Sequence, residues 1–291
     1  MNTRQSAIGQ AIEDIAARVP GQAKKDGDYI GDEGLLYCGV CHQPKQCWVD
    51  FLGTRRKMPI ICQCEKDAEA KREAEKAAAK FADRVERLRI DCFPKTDGET
   101  ATASGHTFAV DKRRDVKISD VMRRYADKWD EMKEKNIGLL LCGNVGTGKS
   151  FYAACIANAL IDKGIAVKMT SFDRISNTLF GLNTGRQAYL DKLASYPLLI
   201  IDDLGAERSS EYMLGLVFSV IDARYQSGLP LIVTTNVDLS EIKEPSDLKY
   251  KRIYDRVLEM CHPVKFTGPS YRRETLREHF ADRAKLLGLS D

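Results

Sequence analysis

Gly143-Asn144-Val145-Gly146-Thr147-Gly148-Lys149-Ser150 is the stretch that decides the fold, because it matches the pattern G-x-x-x-x-G-K-[ST] at every position. The apolar run GLLLC precedes it at 138–142, and a segment with helical character follows it at 150–164. A strand, a glycine-rich loop and a helix in this order form a phosphate-binding loop, or P-loop. The sequence therefore predicts a P-loop ATPase, with these eight residues and Phe151 as the nucleotide contacts.

The chemistry of this loop follows from its residue types. Glycines let backbone N–H groups converge on phosphate oxygens, and the N-terminus of the following helix adds partial positive charge. Lys149 is expected to reach the β- and γ-phosphates, and the hydroxyl of Ser150 is expected to bind Mg²⁺. ATP and Mg²⁺ are therefore the predicted cofactors of this site.

From residue 108 onward, the chain alternates helical patterns with short apolar runs. This alternation is typical of an α/β fold with a parallel sheet flanked by helices. Mostly apolar runs are expected where strands are buried on both faces. We predict five strands, at 138–142, 166–170, 198–201, 231–235 and 264–267.

Polar side chains follow two of these runs. Asp202 and Asp203 come directly after the run at 198–201, and Asn236 comes after the run at 231–235. Ligands bind at the carboxyl ends of parallel strands. Asp202 is therefore a candidate magnesium ligand, and Asp203 is a candidate for orienting or deprotonating the attacking water. For both aspartates the alternative is an N-cap of the next helix, and Asn236 alone is a weak signal.

The N-terminal part of the chain contains two short cysteine pairs, Cys38-x2-Cys41 and Cys62-x-Cys64. Paired thiolates at the two ends of a loop suit tetrahedral Zn²⁺, so these four residues are the predicted zinc ligands. His42 and Cys47 are alternatives for one ligand position. A site with four thiolates has no open coordination position, so its expected role is in folding.

Composition changes along the chain predict the domain limits. Residues 1–90 comprise a short amphipathic helix at 6–19, the cysteine module and a long helix at 65–90. Residues 91–107 lose periodicity and gain Pro, Gly, Ser and Thr, so we expect a linker there. Residues 108–291 form the predicted ATPase domain.

Further motifs follow the P-loop in a specific order: DDLGAE at 202–207, IDARY at 221–225, GLP at 228–230 and TTN at 234–236. This order resembles the AAA+ bacterial and phage replicative helicase loaders of the DnaC/DnaI type, whose relatives include the IstB-like ATPases. The resemblance covers about residues 105–275. It implies an AAA+ fold and a slow ATPase, stimulated by a partner or by DNA, that helps to place a helicase on single-stranded DNA.

The resemblance also implies roles for single residues. Asn236 falls at the sensor 1 position and Arg272 at the sensor 2 position. Arg256, or alternatively Arg252, falls in the segment that supplies an arginine finger to a neighbouring subunit. Two features depart from the wider AAA+ pattern. Asp203 stands where most AAA+ ATPases have Glu, and after Arg272 we expect one helix rather than a full lid.

The partners implied by the resemblance are a hexameric replicative helicase for residues 1–90, and other copies of the chain through the ATP site. Single-stranded DNA is implied for residues 173–192, for which a plain amphipathic helix and loop is the alternative. In the cysteine module, Trp48 and Phe51 lie beside Arg55, Arg56 and Lys57. This combination of aromatic and basic residues leaves nucleic-acid binding open as an alternative to helicase docking.

Two other functions stay open at this stage. One is an IstB-type transposition helper, and the other is a nucleotide-gated DNA-binding adaptor with little turnover, since Asp203 has a shorter side chain than Glu. The formal net charge of +3 does not by itself indicate nucleic-acid binding. We expect no transmembrane helix and no secretory signal, and hence a cytoplasmic protein with mostly reduced cysteines.

Overall fold

The computed structural model describes residues 24–51, 53–94, 102–206 and 210–289. The chain forms two compact units, residues 1–81 and residues 82–291. The helix expected at 6–19 lies outside the described residues, as do residues 95–101 of the expected linker and Glu207 of the DDLGAE motif. The domain limits given above stay predictions.

The N-terminal unit contains two antiparallel strand pairs. Strands β1 (Tyr29–Ile30) and β2 (Leu36–Tyr37) form the first pair, and β3 (Gln46–Phe51) and β4 (Thr54–Pro59) form a hairpin. Helix α1 (Gln63–Cys92) begins at the second cysteine pair. Its length of 30 residues agrees with a segment that is rich in Ala and contains neither Gly nor Pro.

The last turns of α1 belong to the C-terminal unit. The guanidinium of Arg84 donates to the backbone carbonyl of Gly164 at 2.9 Å, and Arg89 forms an ion pair with Asp162. Cys92 is fully buried in the core of this unit. The helix predicted at 65–90 therefore does not end free in solvent.

Five parallel strands form the sheet of the C-terminal unit: β5 (Gly138–Gly143), β6 (Val167–Thr170), β7 (Leu198–Leu204), β8 (Leu231–Thr235) and β9 (Cys261–Phe266). Their order across the sheet is β6-β7-β8-β5-β9. The predicted α/β fold with a parallel sheet flanked by helices is confirmed. Strand β9 begins three residues before its predicted start. The sequence prediction began too late because His262 and Pro263 interrupt the apolar run. An edge strand tolerates proline, and β9 is an edge strand.

Nine helices are described after α1. They are α2 (Val116–Asp127), α3 (Trp129–Glu134), α4 (Lys149–Asp162), α5 (Phe172–Gly181), α6 (Arg186–Ser195), α7 (Glu211–Ser227), α8 (Leu239–Lys243), α9 (Leu248–Met260) and α10 (Tyr271–Leu286). Two apolar clusters hold most of these helices on the sheet: α2 and α4 contribute to one cluster, and α5, α7 and α9 contribute to the other. The sheet is thus covered on both faces, which leaves its carboxyl edge available for a site.

No helix in the described ranges has both the length and the apolar character that crossing a bilayer requires.

Candidate nucleotide and zinc sites

The carboxyl edge of the sheet brings the predicted nucleotide residues together. The P-loop follows β5, Asp202 and Asp203 lie near the end of β7, and Asn236 follows β8. Strand β8 lies between β7 and β5, so Asn236 lies between the P-loop and the carboxylates. This order follows from the topology and places all three groups on one edge.

The backbone of the P-loop requires glycine at several positions. Gly143, Gly146 and Gly148 have φ angles of +144°, +83° and +99°, which residues with a side chain rarely adopt. A Cβ on Gly146 would lie 2.2 Å from the hydroxyl oxygen of Ser270. The glycines therefore provide both the turn and the room for a concave loop of the kind that binds phosphate.

Lys149 connects the P-loop to β8. Its ammonium donates to the carbonyl oxygens of Gly143 and Asn144 at 2.8 and 2.9 Å, and to Oδ1 of Asn236 at 2.8 Å. Burial lowers the pKa of Lys149, whereas Asp203 and Asp202 act in the opposite direction. The predicted phosphate-binding lysine and the predicted sensor 1 residue are therefore in direct contact.

Thr234 orients the carboxylate of Asp202. The Thr234 hydroxyl donates to Oδ1 of Asp202 at 2.6 Å and accepts from the backbone N–H of Asp203 at 2.9 Å. One carboxylate oxygen is thus fixed by β8, and Asp202 and Ser150 line the same cavity. Sequence reasoning missed Thr234, although it lies within the TTN motif, because a threonine in a buried strand is ordinary.

Asp203 is turned out of the strand by an irregularity in β7. The register between β7 and β8 shifts between Ile201 and Leu204, and Asp203 has a φ of +57°. Bulges of this kind re-aim side chains beside active sites. Asn236 donates to Oδ1 of Asp203 at 3.4 Å, so Asp203, Asn236 and Lys149 form a chain of contacts.

The start of α10 is tied to the P-loop. The backbone N–H of Tyr271 donates to the carbonyl of Gly146 at 2.9 Å. Arg272, the next residue, lines the cavity above the P-loop and also the cavity beside Asp202. The structure thus places the predicted sensor 2 arginine at the site; its role stays a prediction.

Two adjoining cavities form the site. A cavity of about 230 Å³ is lined by the P-loop, Asp203, Asn236 and Arg272, and a cavity of about 520 Å³ is lined by Ser150, Asp202, Asp203 and the start of α5. His106 lines both cavities, and its ring lies 5.1 Å from that of Phe151. Burial lowers the pKa of His106. Sequence reasoning placed His106 in the linker and gave it no role.

The two candidates for the arginine finger lie outside these two cavities. Arg252 and Arg256 are on α9, and neither is among the described residues that line these two cavities. Arg252 is exposed, whereas Arg256 is partly buried and paired with Asp222. Neither arginine therefore lines the nucleotide cavities of the chain that carries it.

The four predicted zinc ligands come together in the N-terminal unit. The Sγ atoms of Cys38, Cys41, Cys62 and Cys64 all lie within 4.8 Å of one another. Tetrahedral zinc with Zn–S bonds of about 2.3 Å holds its sulfurs about 3.8 Å apart. The arrangement therefore fits a Zn²⁺ ion, and neither His42 nor Cys47 belongs to this cluster.

A buried ion pair contacts residues that are adjacent in the chain to cysteines of both pairs. The Asp28 carboxylate accepts from the ammonium of Lys45 at 2.8 Å and from the backbone N–H of Gly39 at 3.0 Å. The hydrogen bond from Lys45 holds the pKa of Asp28 well below its usual range. Lys45 also lies 3.6 Å from Glu65, which follows Cys64 in the chain. Sequence reasoning missed this network because its members are far apart in sequence.

Comparison with known protein families identifies the family to which the chain belongs. The family model for IstB-like ATP binding proteins matches residues 111–279, which is more than half of the chain. The chain belongs to the IstB-like ATP-binding protein family. Family membership and the P-loop geometry together establish an ATP-binding AAA+ domain, and the resemblance stated from the motifs is confirmed.

Relatives within this family include helicase loaders and an insertion-sequence protein. The replicative helicase loader DnaI of Bacillus subtilis is 29% identical over 169 residues, covering 53% of this chain and 52% of DnaI. The replicative helicase loader DnaC of Escherichia coli K12 is 30% identical over 164 residues, covering 54% and 64%. A putative insertion sequence ATP-binding protein of Sinorhizobium fredii is 29% identical over 180 residues, covering 59% and 58%. The chain thus spans between about half and two thirds of the length of these curated relatives.

Solved structures of loaders are similar to more than half of the chain. A crystal structure of DnaI is 25% identical with a TM-score of 0.48, covering 56% of this chain and 89% of that chain. A crystal structure of the DnaC helicase loader is 21% identical with a TM-score of 0.49, covering 57% and 99%.

Proposed function

We propose that this chain is an ATP-dependent loader that binds the replicative DNA helicase and helps to place it on single-stranded DNA. The observation that carries the proposal is the joint presence of the family's ATP site and a four-cysteine module ahead of it. Similarity of the ATPase domain to the loaders DnaI and DnaC supports it. A cytoplasmic location goes with this proposal.

Each group at the sheet edge has a proposed task. The P-loop amides and Lys149 bind the phosphates of ATP, and Ser150 and Asp202 hold Mg²⁺. Asp203, held by Asn236, orients the attacking water, while Arg272 contacts the phosphates from the start of α10. When bound, Mg²⁺ neutralises charge that develops on the phosphate oxygens. The two cavities and the donors that line them fit this assignment.

Hydrolysis is proposed to depend on assembly. Arg256 on α9 does not line its own nucleotide cavity, which supports its insertion beside the γ-phosphate of a neighbouring copy. An isolated subunit then lacks one positive charge that the transition state requires. We therefore expect slow hydrolysis in dilute protein, with stimulation by single-stranded DNA or by the helicase.

Exposed aromatic side chains support a DNA contact in the ATPase domain. Phe180 at the end of α5 and Tyr212 at the start of α7 are 64% and 45% exposed, and their ring centroids lie 5.2 Å apart. Arg186 and Lys192, both exposed, lie on the following helix α6. Aromatic rings with neighbouring cations are suited to bases and phosphates of a single strand.

The N-terminal unit, which contains the four-cysteine cluster, is proposed to hold the hexameric helicase. The test is co-elution of the full chain with that helicase, with and without Mg-ATP, beside a chain that lacks residues 1–81. The cut belongs at residue 82 because residues 82–92 pack on the ATPase domain. A complex that is lost in the shortened chain supports the proposal, whereas a complex that survives removal of residues 1–81 contradicts the docking role. No complex under any nucleotide condition contradicts the loader function.

A transposition helper is the second candidate function. The observation in its favour is the Sinorhizobium fredii relative, whose identity of 29% equals that of DnaI and is close to the 30% of DnaC. Affinity capture that yields a transposase and no helicase would select it. A nucleotide-gated adaptor differs from both, since a non-hydrolysable ATP analogue would then support the complete reaction as well as ATP does.

A further inference from the structure

The β3–β4 hairpin of the N-terminal unit carries an aromatic ring with two cations close to it. Trp48 pairs with Lys57 in the strand register, and Asp50 pairs with Arg55. Cross-strand partners and residues two apart share one face of a hairpin, so all four side chains lie on the same face. The guanidinium carbon of Arg55 lies 5.3 Å from the centroid of the Trp48 ring, and the ammonium nitrogen of Lys57 lies 5.2 Å from it.

These cations are available to an anionic partner. Arg55 and Lys57 are exposed, and in the described part of the chain neither lies within ion-pair distance of a carboxylate. Lys57 donates one bond, to the carbonyl of Gly34 at 2.6 Å, and keeps two donors. Asp50 is the one acidic residue in the sequence of the hairpin, which also contains Arg56. The hairpin therefore has a net charge of about +2; Arg56 pairs with Val49 on the other face, so the face with Trp48 has a net charge of about +1.

We propose that this face of the hairpin binds the phosphodiester backbone of single-stranded DNA. Two residues of a strand span about 7 Å, so Arg55 and Lys57 form a short row of cations within reach of the Trp48 ring. Interleaved aromatic and basic side chains on a small sheet are suited to an unpaired strand, whose phosphates bind the cations and whose bases stack. The zinc cluster lies in the same unit and fixes the segments on either side of the hairpin, at Cys41 and Cys62.

This inference shares its DNA partner with the proposed function but assigns a second contact, outside the ATPase domain. The buried core of a protein–protein interface is depleted in charged side chains, lysine and aspartate in particular. Here two exposed cations, one of them a lysine, lie next to the half-buried indole. Charge complementarity therefore favours nucleic acid over the helicase as the occupant of this face.

The test is fluorescence anisotropy of a labelled oligothymidylate with the full chain over a series of salt concentrations. The variant R55E/K57E is compared with K76E/K80E, a matched charge reversal at exposed positions of α1. We expect a loss of affinity of about tenfold in R55E/K57E, with a salt slope smaller by about 1.4, since two phosphate contacts are removed. K76E/K80E is expected to bind like the unaltered chain.

The neutral variant R55Q/K57Q keeps the side-chain volume, and the zinc content of both hairpin variants is determined. A zinc content equal to that of the unaltered chain excludes misfolding as the cause of a lost affinity. Equal affinity in R55E/K57E and the unaltered chain, or equal losses in both charge-reversal variants, overturns the inference. A larger loss on a duplex of the same length than on the single strand also overturns it. Loss of helicase co-elution with unchanged DNA binding overturns it too, and leaves the proposed loader function intact.

Discussion

Arg256 on α9 donates to the carboxylate of Asp222 on α7, with 2.7 Å between Nη2 and Oδ1. The guanidinium carbon also lies 4.6 Å from the ring centroid of Phe218 and 5.7 Å from that of Tyr225. Nη1 is buried and makes no hydrogen bond within the described residues. The guanidinium is thus held at the junction of the two helices and still has donors for a further acceptor.

Mixed subunits test whether Arg256 acts in a neighbouring site. Arg256→Ala is expected to lower DNA-stimulated ATPase activity by about a thousandfold, because a trans-acting arginine stabilises the transition state, with ATP affinity nearly unchanged. Lys149→Ala is expected to be inactive because it lacks the phosphate contact. A mixture of the two variants brings an intact P-loop and an intact arginine into one interface, so partial activity should return. The measurement is phosphate release by each variant and by the mixture.

Arg252→Ala is the matched control, since Arg252 lies one turn earlier on α9 and is exposed. It is expected to keep most of the activity. If Arg252→Ala is inactive and Arg256→Ala is not, the finger role belongs to Arg252. A mixture as inactive as its components would contradict the role of Arg256 in a neighbouring site.

Thr234 offers a test of how Asp202 is positioned. Thr234→Val removes the hydroxyl that donates to Asp202 and accepts from the N–H of Asp203. Because that carboxylate then loses its fixed orientation, we expect the Mg²⁺ concentration for half-maximal ATPase activity to rise about tenfold, as for other groups that orient metal ligands. The measurement is a Mg²⁺ titration of ATPase activity.

Thr235→Val is the control for this variant. Thr235 is equally buried, but its hydroxyl donates to the carbonyl of Leu204 and has no bond to a carboxylate in the described structure. Both variants are expected to lose about 1 to 2 kcal/mol of unfolding free energy, because a buried polar group loses its partner. The same Mg²⁺ requirement in both would rule out the orienting role of Thr234.

The parts of the site that sequence could predict are those that depend on local pattern. The P-loop, the apolar strands and the carboxylates near the end of β7 are each contained within about ten residues. Thr234, His106 and the contact between Gly146 and Tyr271 depend on segments that are distant in the chain. The turn at Asp203 also escapes sequence reasoning, because the register shift in β7 arises from its pairing with β8.

The buried pair of Asp28 and Lys45 predicts a link between charge and zinc binding. Lys45→Met removes the cation that bonds to Asp28, so the carboxylate is left buried without its charged partner. Asp28 also accepts from Gly39 beside Cys38, a predicted zinc ligand, so the loop with this cysteine is expected to loosen. We expect zinc affinity to fall about tenfold or more. Competition with a chromophoric chelator measures this loss.

Lys57→Met is the control here, because Lys57 is exposed and its ammonium bonds to a backbone carbonyl rather than to a carboxylate. It is expected to bind zinc like the unaltered chain. Unchanged zinc affinity in Lys45→Met would mean that the ion pair acts independently of the cysteine cluster.

Gly146 allows steric crowding to be separated from backbone strain. Gly146→Ala places a Cβ 2.2 Å from the original position of the Ser270 hydroxyl and also imposes a φ of +83° on alanine. Gly185→Ala imposes a nearly equal φ of +81° at a position where a Cβ meets nothing within 4 Å. Each variant is expected to lose about 1 to 2 kcal/mol of unfolding free energy through the strained backbone.

Only Gly146→Ala is expected to push the start of α10, and Arg272 with it, away from the P-loop. We therefore expect ATP affinity, measured by calorimetry, to fall at least about tenfold in Gly146→Ala and to stay unchanged in Gly185→Ala. Equal affinities in the two variants would show that the contact between the P-loop and α10 does not shape the nucleotide site.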